Sequence, residues 1–167
     1  MTIELEMDEH YVLELSEVTD PDYSMTVAIS NWLKENLETL KDDHDNVIFS
    51  KVNTGFSENN LKTFGAKPTC DVYIDHVEYE SEFDTHHPET VHTIVLFYIK
   101  GSNNTSHANA CALHDYIMQK FLVDSSFKKL PDIVKDTYIT HSELRNQPIN
   151  KKWGVMGAFE LTHELLY

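Results

Sequence analysis

The most restrictive feature of this sequence is the way its hydrophobic residues change period along the chain. Between Pro21 and Lys41 the apolar residues recur mainly at steps of three or four, as they do on one face of a helix. A stretch between Thr105 and Asp124 has the same period. Five other stretches are short and apolar or alternate at every second residue, which is typical of strands. Prolines separate these stretches, because proline neither continues a helix nor donates to a sheet ladder.

The order of these periods predicts the fold class. Residues 22–167 are predicted to form one α+β domain in the order helix, three strands, helix, two strands. Its sheet is expected to be mostly antiparallel or mixed, with about five strands, packed with two helices. Residues 1–21 alternate apolar and acidic residues and are predicted to be an N-terminal arm or hairpin. The predicted strands cover 47–52, 70–79, 91–100, 134–143 and 153–166, with loops at 54–69 and 146–150.

Two of these strands carry further information. The stretch Val91–Lys100 is apolar on both faces, which predicts a central strand that is covered on each side. The last strand contains Gly154 and Gly157. Glycines inside a strand mark either a bulge or a close backbone approach, or else they clear space under a packed helix. The sequence leaves these readings open.

The charge of the chain excludes some functions. Among its 167 residues there are 28 acidic and 13 basic ones, so the formal net charge is −15. Arg145 is the single arginine, which leaves almost no side chain suited to bidentate phosphate contacts. A nucleic-acid-binding domain needs lysines and arginines that release phosphate counterions, so this class is disfavoured. The hydrophobic fraction of 41% excludes global disorder.

The compartment is expected to be a cytosol. The first residues have neither a basic region nor an apolar core, so no signal peptide is expected. The longest apolar run, Ile94–Ile99, is far shorter than the roughly 20 residues that span a bilayer. Cys70 and Cys111 are too few for a disulfide scaffold or a zinc site, and both are expected to be reduced core residues.

Motifs for catalysis are missing. The sequence has no nucleophile elbow, no P-loop and no dinucleotide-binding glycine turn, so we expect neither an enzyme nor a cofactor. The densest group of metal-ligand residue types is at His86, His87 and His92, with two carboxylates in the same segment. An alternative therefore stays open, in which the chain is a cytosolic α+β enzyme or metal-binding module that uses these histidines.

Acidic and basic residues are concentrated in different segments of the chain. Residues 1–22 hold eight acidic residues and no base, and residues 71–90 hold seven and no base, whereas 120–152 hold seven bases against four acids. Opposite patches favour head-to-tail contacts between copies, which close into rings. The other reading is that each patch is only a solvated face. The candidate residues for subunit contacts are Lys128, Lys129, Arg145, Lys151, Lys152, Trp153, Glu4, Glu6, Glu78 and Glu80.

Three segments carry a family resemblance. The first helix contains Ser30–Leu37, the second contains Ala112–Met118, and the chain ends with the pattern of Trp153–Leu161. With the element order from about Asp22 onward, these segments resemble the bacteriophage tail terminator, or tail-completion and head-tail joining, proteins. The resemblance covers roughly 145 residues and is one of pattern. The acidic arm at 1–21 departs from the compact family pattern and is compatible with another neck or tail component.

The resemblance implies a structural virion protein without catalytic residues, assembled in the host cytoplasm and located in the neck or tail. Copies would form a ring, expected to be a hexamer, that caps the tail tube and ends its polymerisation. The implied partners are the tail tube protein and the head-side connector protein, with a sheath protein as a further candidate. DNA would pass through the ring without specific binding, and an acidic lumen would repel its phosphates. No membrane is implied.

Overall fold

A computed structural model describes residues 21–55, 67–79, 89–101, 103–122, 132, 134–149 and 152–166. It confirms one α+β domain, with two helices and five strands in the predicted order. The elements are α1 (Pro21–Glu38), β1 (Lys51–Thr54), β2 (Thr69–Glu78), β3 (Thr90–Lys100), α2 (Asn104–Leu122), β4 (Val134–Ile149) and β5 (Lys152–Leu165). The predicted arm at 1–21 lies outside the described residues, except for Pro21, which begins α1.

The strands form one mixed sheet in the order β1-β2-β3-β5-β4. β1 is parallel to β2, and every other pair is antiparallel. β3 is the central strand, and its side chains are buried on both faces, as the sequence predicts. β1 and β4 are the edge strands of this sheet, and the two edges are very different in length, with four residues in β1 and 16 in β4.

Both helices pack on the same face of the sheet. The predicted apolar stripes of α1 and α2 are buried there against alternate residues of the central strands. The opposite face, which we call the far face, carries the even-numbered side chains of β3 and β5 and a smaller buried cluster around Leu96 and Tyr98. The buried helix residues that define the main core are Ile29, Leu33, Leu37, Ala110, Leu113, Ile117 and Phe121.

The first strand begins later than the sequence predicts and overlaps the prediction only at Lys51 and Val52. Residues 47–52 were expected to be a strand, but β1 is Lys51–Thr54, and Val47 makes only an isolated bridge with Lys41. The Ile48 N–H donates to the carbonyl of Leu40, and the Asp42 N–H donates to that of Asn46. Val47 and Ile48 therefore close the turn after α1, and they do not pair with a strand of the sheet.

The predicted loop at 146–150 is also wrong in part, because β4 continues to Ile149. Pro148 is paired in register with Trp153, and Ile149 with Lys152. A proline is tolerated in a strand at the edge of a sheet. The outer side of such a strand has no neighbouring strand, so a missing N–H on that side breaks no hydrogen bond of the ladder. The result is a β4–β5 hairpin that continues past the end of β3, which pairs with β5 only as far as Gly154.

Gly157 makes room for an aromatic ring of the neighbouring strand. Phe97 lies directly opposite Gly157 and is fully buried. A Cβ atom at position 157 would overlap Cε1 and Cζ of Phe97 and lie 2.8 Å from Cε2. The pairing of β3 with β5 has no register shift here, and the space is cleared for a ring of β3 and not under a packed helix, so neither a bulge nor a helix explains this glycine.

Candidate functional site

A cluster of two histidines and a glutamate lies on the far face, at the β2–β3 pair. His76 is opposite His92 in the register, and Glu78 is opposite Thr90. The register shifts between Ile74 and His76, so that Asp75 has no partner on β3. Strict alternation from Ile74 would direct His76 toward the helices, and the extra residue brings it to the far face instead. We call His76, Glu78 and His92 the histidine cluster.

The three side chains of the histidine cluster converge on one point. Oε1 of Glu78 lies 3.3 Å from Nε2 of His76 and 3.4 Å from Nε2 of His92. The two imidazole rings are stacked, with centroids 4.0 Å apart and planes inclined by 13°. His92 is largely buried, with 11% of its side chain exposed, whereas 44% of the His76 side chain is exposed. The cluster is therefore open to solvent on the side of His76.

Each ring is held through its other nitrogen. Nδ1 of His76 lies 2.7 Å from Oδ2 of Asp75, and Nδ1 of His92 lies 3.1 Å from the hydroxyl oxygen of Thr162. The Thr162 hydroxyl donates to the Thr140 hydroxyl, which donates to the Glu160 carbonyl oxygen. Since a carbonyl oxygen only accepts, this chain of donors favours an N–H at Nδ1 of His92. His76 has a carboxylate at each ring nitrogen, Asp75 at Nδ1 and Glu78 at Nε2, and the shorter contact at Nδ1 favours an N–H there.

Neighbouring groups stabilise charge in the cluster. The hydrogen bond to Asp75 raises the pKa of the His76 imidazole, and Glu78 raises it further. The pKa of the Glu78 carboxyl is lowered, first by the hydrogen bond that Thr90 donates to it and then by His76. Both groups are exposed, so solvent screens these effects. The protonated imidazole of His76 and the ionised carboxylate of Glu78 are thus favoured as an ion pair.

A different histidine lies among the core residues on the helix face. His163 is fully buried, with Nε2 at 2.8 Å from the Thr93 hydroxyl oxygen and Nδ1 at 2.7 Å from that of Thr137. Burial lowers the pKa of this imidazole to about 3, with a smaller contribution from His92. The ring is therefore neutral at physiological pH, where it satisfies one threonine as donor and the other as acceptor. Its role is structural.

The β4 edge is the second candidate surface, and it comprises Val134–Ile149. The register of β4 on β5 shifts near Val134 and again between Ile139 and His141, but it is regular from His141 to Ile149. Arg145 is exposed in this regular half, where its Nη2 lies 3.2 Å from Oε2 of Glu143. Trp153, at the start of β5, is 54% exposed. No other strand of the described residues pairs with β4.

The predicted contact residues are only partly brought together. Arg145 lies on β4 and Trp153 lies at the start of β5, so both belong to the β4–β5 hairpin. Glu78 instead belongs to the histidine cluster. The backbone of Lys152 pairs with Ile149, and its side chain is outside the described part. The predicted residues that lie outside the described ranges are Glu4, Glu6, Glu80, Lys128, Lys129 and Lys151.

The histidine segment that the sequence singles out is also only partly described. His86 and His87 lie outside the described residues, and His92 contacts His76 and Glu78, which come from another strand. Sequence reasoning missed His76 because a histidine 16 residues away becomes a neighbour only through the β2–β3 register. The sequence signal that was available is the pair His76 and Glu78, two residues apart in a predicted strand.

A cleft of about 730 Å³ lies between α2 and the turn after α1. Asp42, one of its two acidic residues, is already engaged, because its Oδ1 accepts hydrogen bonds from the backbone N–H groups of His44 and Asn46. These bonds lower the pKa of the Asp42 carboxyl. The Tyr116 hydroxyl donates to the Lys41 carbonyl across the cleft. Asp42 and Tyr116 thus use their polar groups to hold the turn after α1.

The comparisons with known proteins identify no relative. No family model matches the chain, and no curated protein is significantly similar to it. Neither α1 nor α2 is long and apolar enough to cross a membrane. The β4 edge and the histidine cluster are therefore the two surfaces of the described chain that bear on its function.

Proposed function

We propose that this chain is a structural virion protein whose copies close into a ring of the phage tail terminator type. The observation that carries the proposal is the β4 edge, a strand of 16 residues at the border of the sheet. The outer N–H and C=O groups of an edge strand are a template for pairing with another chain. An element of this length at the border of the domain suits a protein that works by assembly.

The regular half of the β4 edge, from His141 to Ile149, is the part that fits a neighbouring copy. Register shifts distort the first half, and such irregularities protect edges from unwanted pairing. The second half has none and leads to the exposed Trp153. Aromatic residues with large exposed area are common anchors of protein interfaces. We therefore place the subunit contact at the end of the β4–β5 hairpin.

Charge supports a second copy as the occupant of this surface. The acidic arm at 1–21 alternates apolar residues with acids, and seven of the 13 basic residues lie within 120–152, which includes Arg145 and the hairpin turn. An extended segment with period two can add a strand to a sheet edge. The end of the hairpin, residues 141–153, holds three bases against one acid. The acidic arm of one copy and this basic end of the next form a head-to-tail contact, and repetition of such a contact closes a ring.

The wider role follows from the resemblance. In this proposal the ring, a hexamer, caps the tail tube protein and meets the head-side connector protein, with a sheath protein as a further partner. The duplex passes through the ring, and a net charge of −15 supports passage without adhesion, because negative walls repel phosphates. The chain would be assembled in the host cytoplasm and end in the virion.

The mass and symmetry of the full-length chain in solution test this proposal. Light scattering over a range of concentrations, combined with negative-stain microscopy, is expected to show a closed ring of uniform mass. A chain that stays monomeric at every concentration, and also in the presence of isolated tail tubes, would contradict the proposal. A basic lumen in the ring would contradict the proposed DNA passage.

Trp153→Ser is expected to weaken assembly at least about tenfold, because buried tryptophans at interface centres commonly contribute 2 kcal/mol or more. The readout is the concentration at which the oligomer dissociates, measured by light scattering. Val27→Ser is the matched control, since Val27 is also an exposed hydrophobic residue but lies on α1. An equal effect of the two substitutions would place the subunit contact elsewhere.

A further inference from the structure

We propose that His76, Glu78 and His92 form a binding site for a divalent transition-metal cation of the zinc type. The site would be distinct from the subunit contact at the β4–β5 hairpin, and it does not depend on ring formation. Two imidazole nitrogens and one carboxylate oxygen are a donor set that suits Zn²⁺ and its first-row neighbours, whereas Ca²⁺ and Mg²⁺ prefer oxygen ligands alone.

The ligand atoms are spaced as a metal site requires. Bonds of about 2.0–2.1 Å in a tetrahedral site place neighbouring ligand atoms roughly 3.3–3.4 Å apart. The distances from Oε1 of Glu78 to the two Nε2 atoms are 3.3 and 3.4 Å. One ligand atom from each of the three residues lies within 4.8 Å of the others. Two of the three required spacings are therefore already present.

The orientation of the rings provides the second argument. When the N–H groups are at both Nδ1 atoms, the Nε2 lone pairs of His76 and His92 are directed toward the Glu78 carboxylate, and a cation placed between these three donors binds all of them. The Thr90 hydroxyl oxygen lies 3.5 Å from Nε2 of His92. The other oxygen of the carboxylate, Oε2 of Glu78, accepts a hydrogen bond from the Thr90 hydroxyl, which holds the carboxylate in place. A metal ion can bind all three ligand atoms at once, whereas a single proton can be shared by only two of them.

The surroundings supply the outer contacts that metal-binding histidines usually have. Metal-ligating histidines commonly donate their remaining N–H to a carboxylate or another fixed acceptor, which sets the ring orientation. Asp75 is this acceptor for Nδ1 of His76, and Thr162 is the acceptor for Nδ1 of His92. The largely buried His92 is the fixed ligand. The two rings are stacked in this structure, so metal binding requires the exposed His76 ring to turn until its plane converges with that of His92, and water completes the coordination.

Zinc binding to the full-length chain without a histidine tag tests this site. Isothermal titration calorimetry with Zn²⁺ is expected to show a site that His76→Gln weakens at least about tenfold, since changes to outer contacts alone cost 10- to 100-fold. Glu78→Gln is expected to have a similar effect. Cobalt is the spectroscopic probe, because its absorption in the tetrahedral state would disappear in both variants. His76 and Glu78 are exposed, so neither substitution removes core packing.

A matched control is provided by the chain itself. His141 and Glu143 are also a histidine and a glutamate two residues apart on a strand, with 4.0 Å between Nε2 and Oε2. Among the described residues no second histidine groups with these two, so His141→Gln is expected to leave zinc affinity unchanged. His86→Gln combined with His87→Gln is likewise expected to leave it unchanged. The proposal is overturned if the wild type binds no zinc, if His76→Gln has no effect, or if the His86 and His87 substitutions abolish binding.

Discussion

Gly157→Ala is expected to lower the free energy of unfolding by about 3 kcal/mol, the upper part of the usual range for overpacked cores. The added Cβ would overlap Cε1 and Cζ of Phe97, whose ring is fully buried in the main core. The ring packs beside Phe159, with centroids 6.3 Å apart, so it has no free space to move into. For a domain of this size the melting temperature should fall by about 6–12 °C.

Phe97→Leu provides the control for this prediction. Leucine has no atoms at the positions of Cε1 and Cζ, so Gly157→Ala should cost less than about 1 kcal/mol in the Phe97→Leu background. Chemical denaturation of the wild type, both single variants and the double variant gives this interaction energy. If Gly157→Ala has the same cost in both backgrounds, then contact with the Phe97 ring is not the reason for the glycine.

The stability of the domain is expected to fall by about 2 kcal/mol between about pH 7 and pH 5 through His163 alone. Its pKa is about 3 in the folded protein, against an ordinary value of 6.5. Between these values the unfolded chain binds the proton and the folded chain does not. Stability is therefore fully present above pH 6.5 and is lost as the pH falls toward 3, at roughly 1.4 kcal/mol per pH unit.

His163→Gln isolates this contribution. Glutamine does not titrate, and its amide can both donate and accept toward Thr93 and Thr137. Urea denaturation at about pH 7 and about pH 5 should show a smaller loss of stability for the variant, by about 2 kcal/mol, than for the wild type. An equal loss in the two proteins would assign the acid sensitivity to other groups.

Much of the fold could be predicted from local patterns. The apolar stripe Ala110, Leu113, Ile117 and Phe121 is buried as expected, because its spacing matches the helical period whatever the helix packs against. The same is true of β3, whose two apolar faces require cover on both sides. These predictions hold because each depends on the side chains of one segment and on one repeating geometry.

The features that the sequence did not reveal depend on partners from other segments. The turn after α1 takes up Val47 and Ile48 through hydrogen bonds and a bridge to residues on its other side, so the first strand begins later than its β-branched residues suggest. Pro148 is compatible with β4 only because that strand is at an edge. Neither the turn partners nor the edge position can be read from the residues of the segment itself.

The class of fold, the element order and the division of charge follow from consecutive residues, since periods and net charges are local properties. Which side chains meet depends on how distant segments pair in the folded chain. One extra residue, Asp75, brings His76 to the face of His92, and strand register places Phe97 over Gly157. Register is a long-range property, because the choice among alternative strand pairings depends on the packing of both faces at once. For this reason the histidine cluster became visible only in the folded chain.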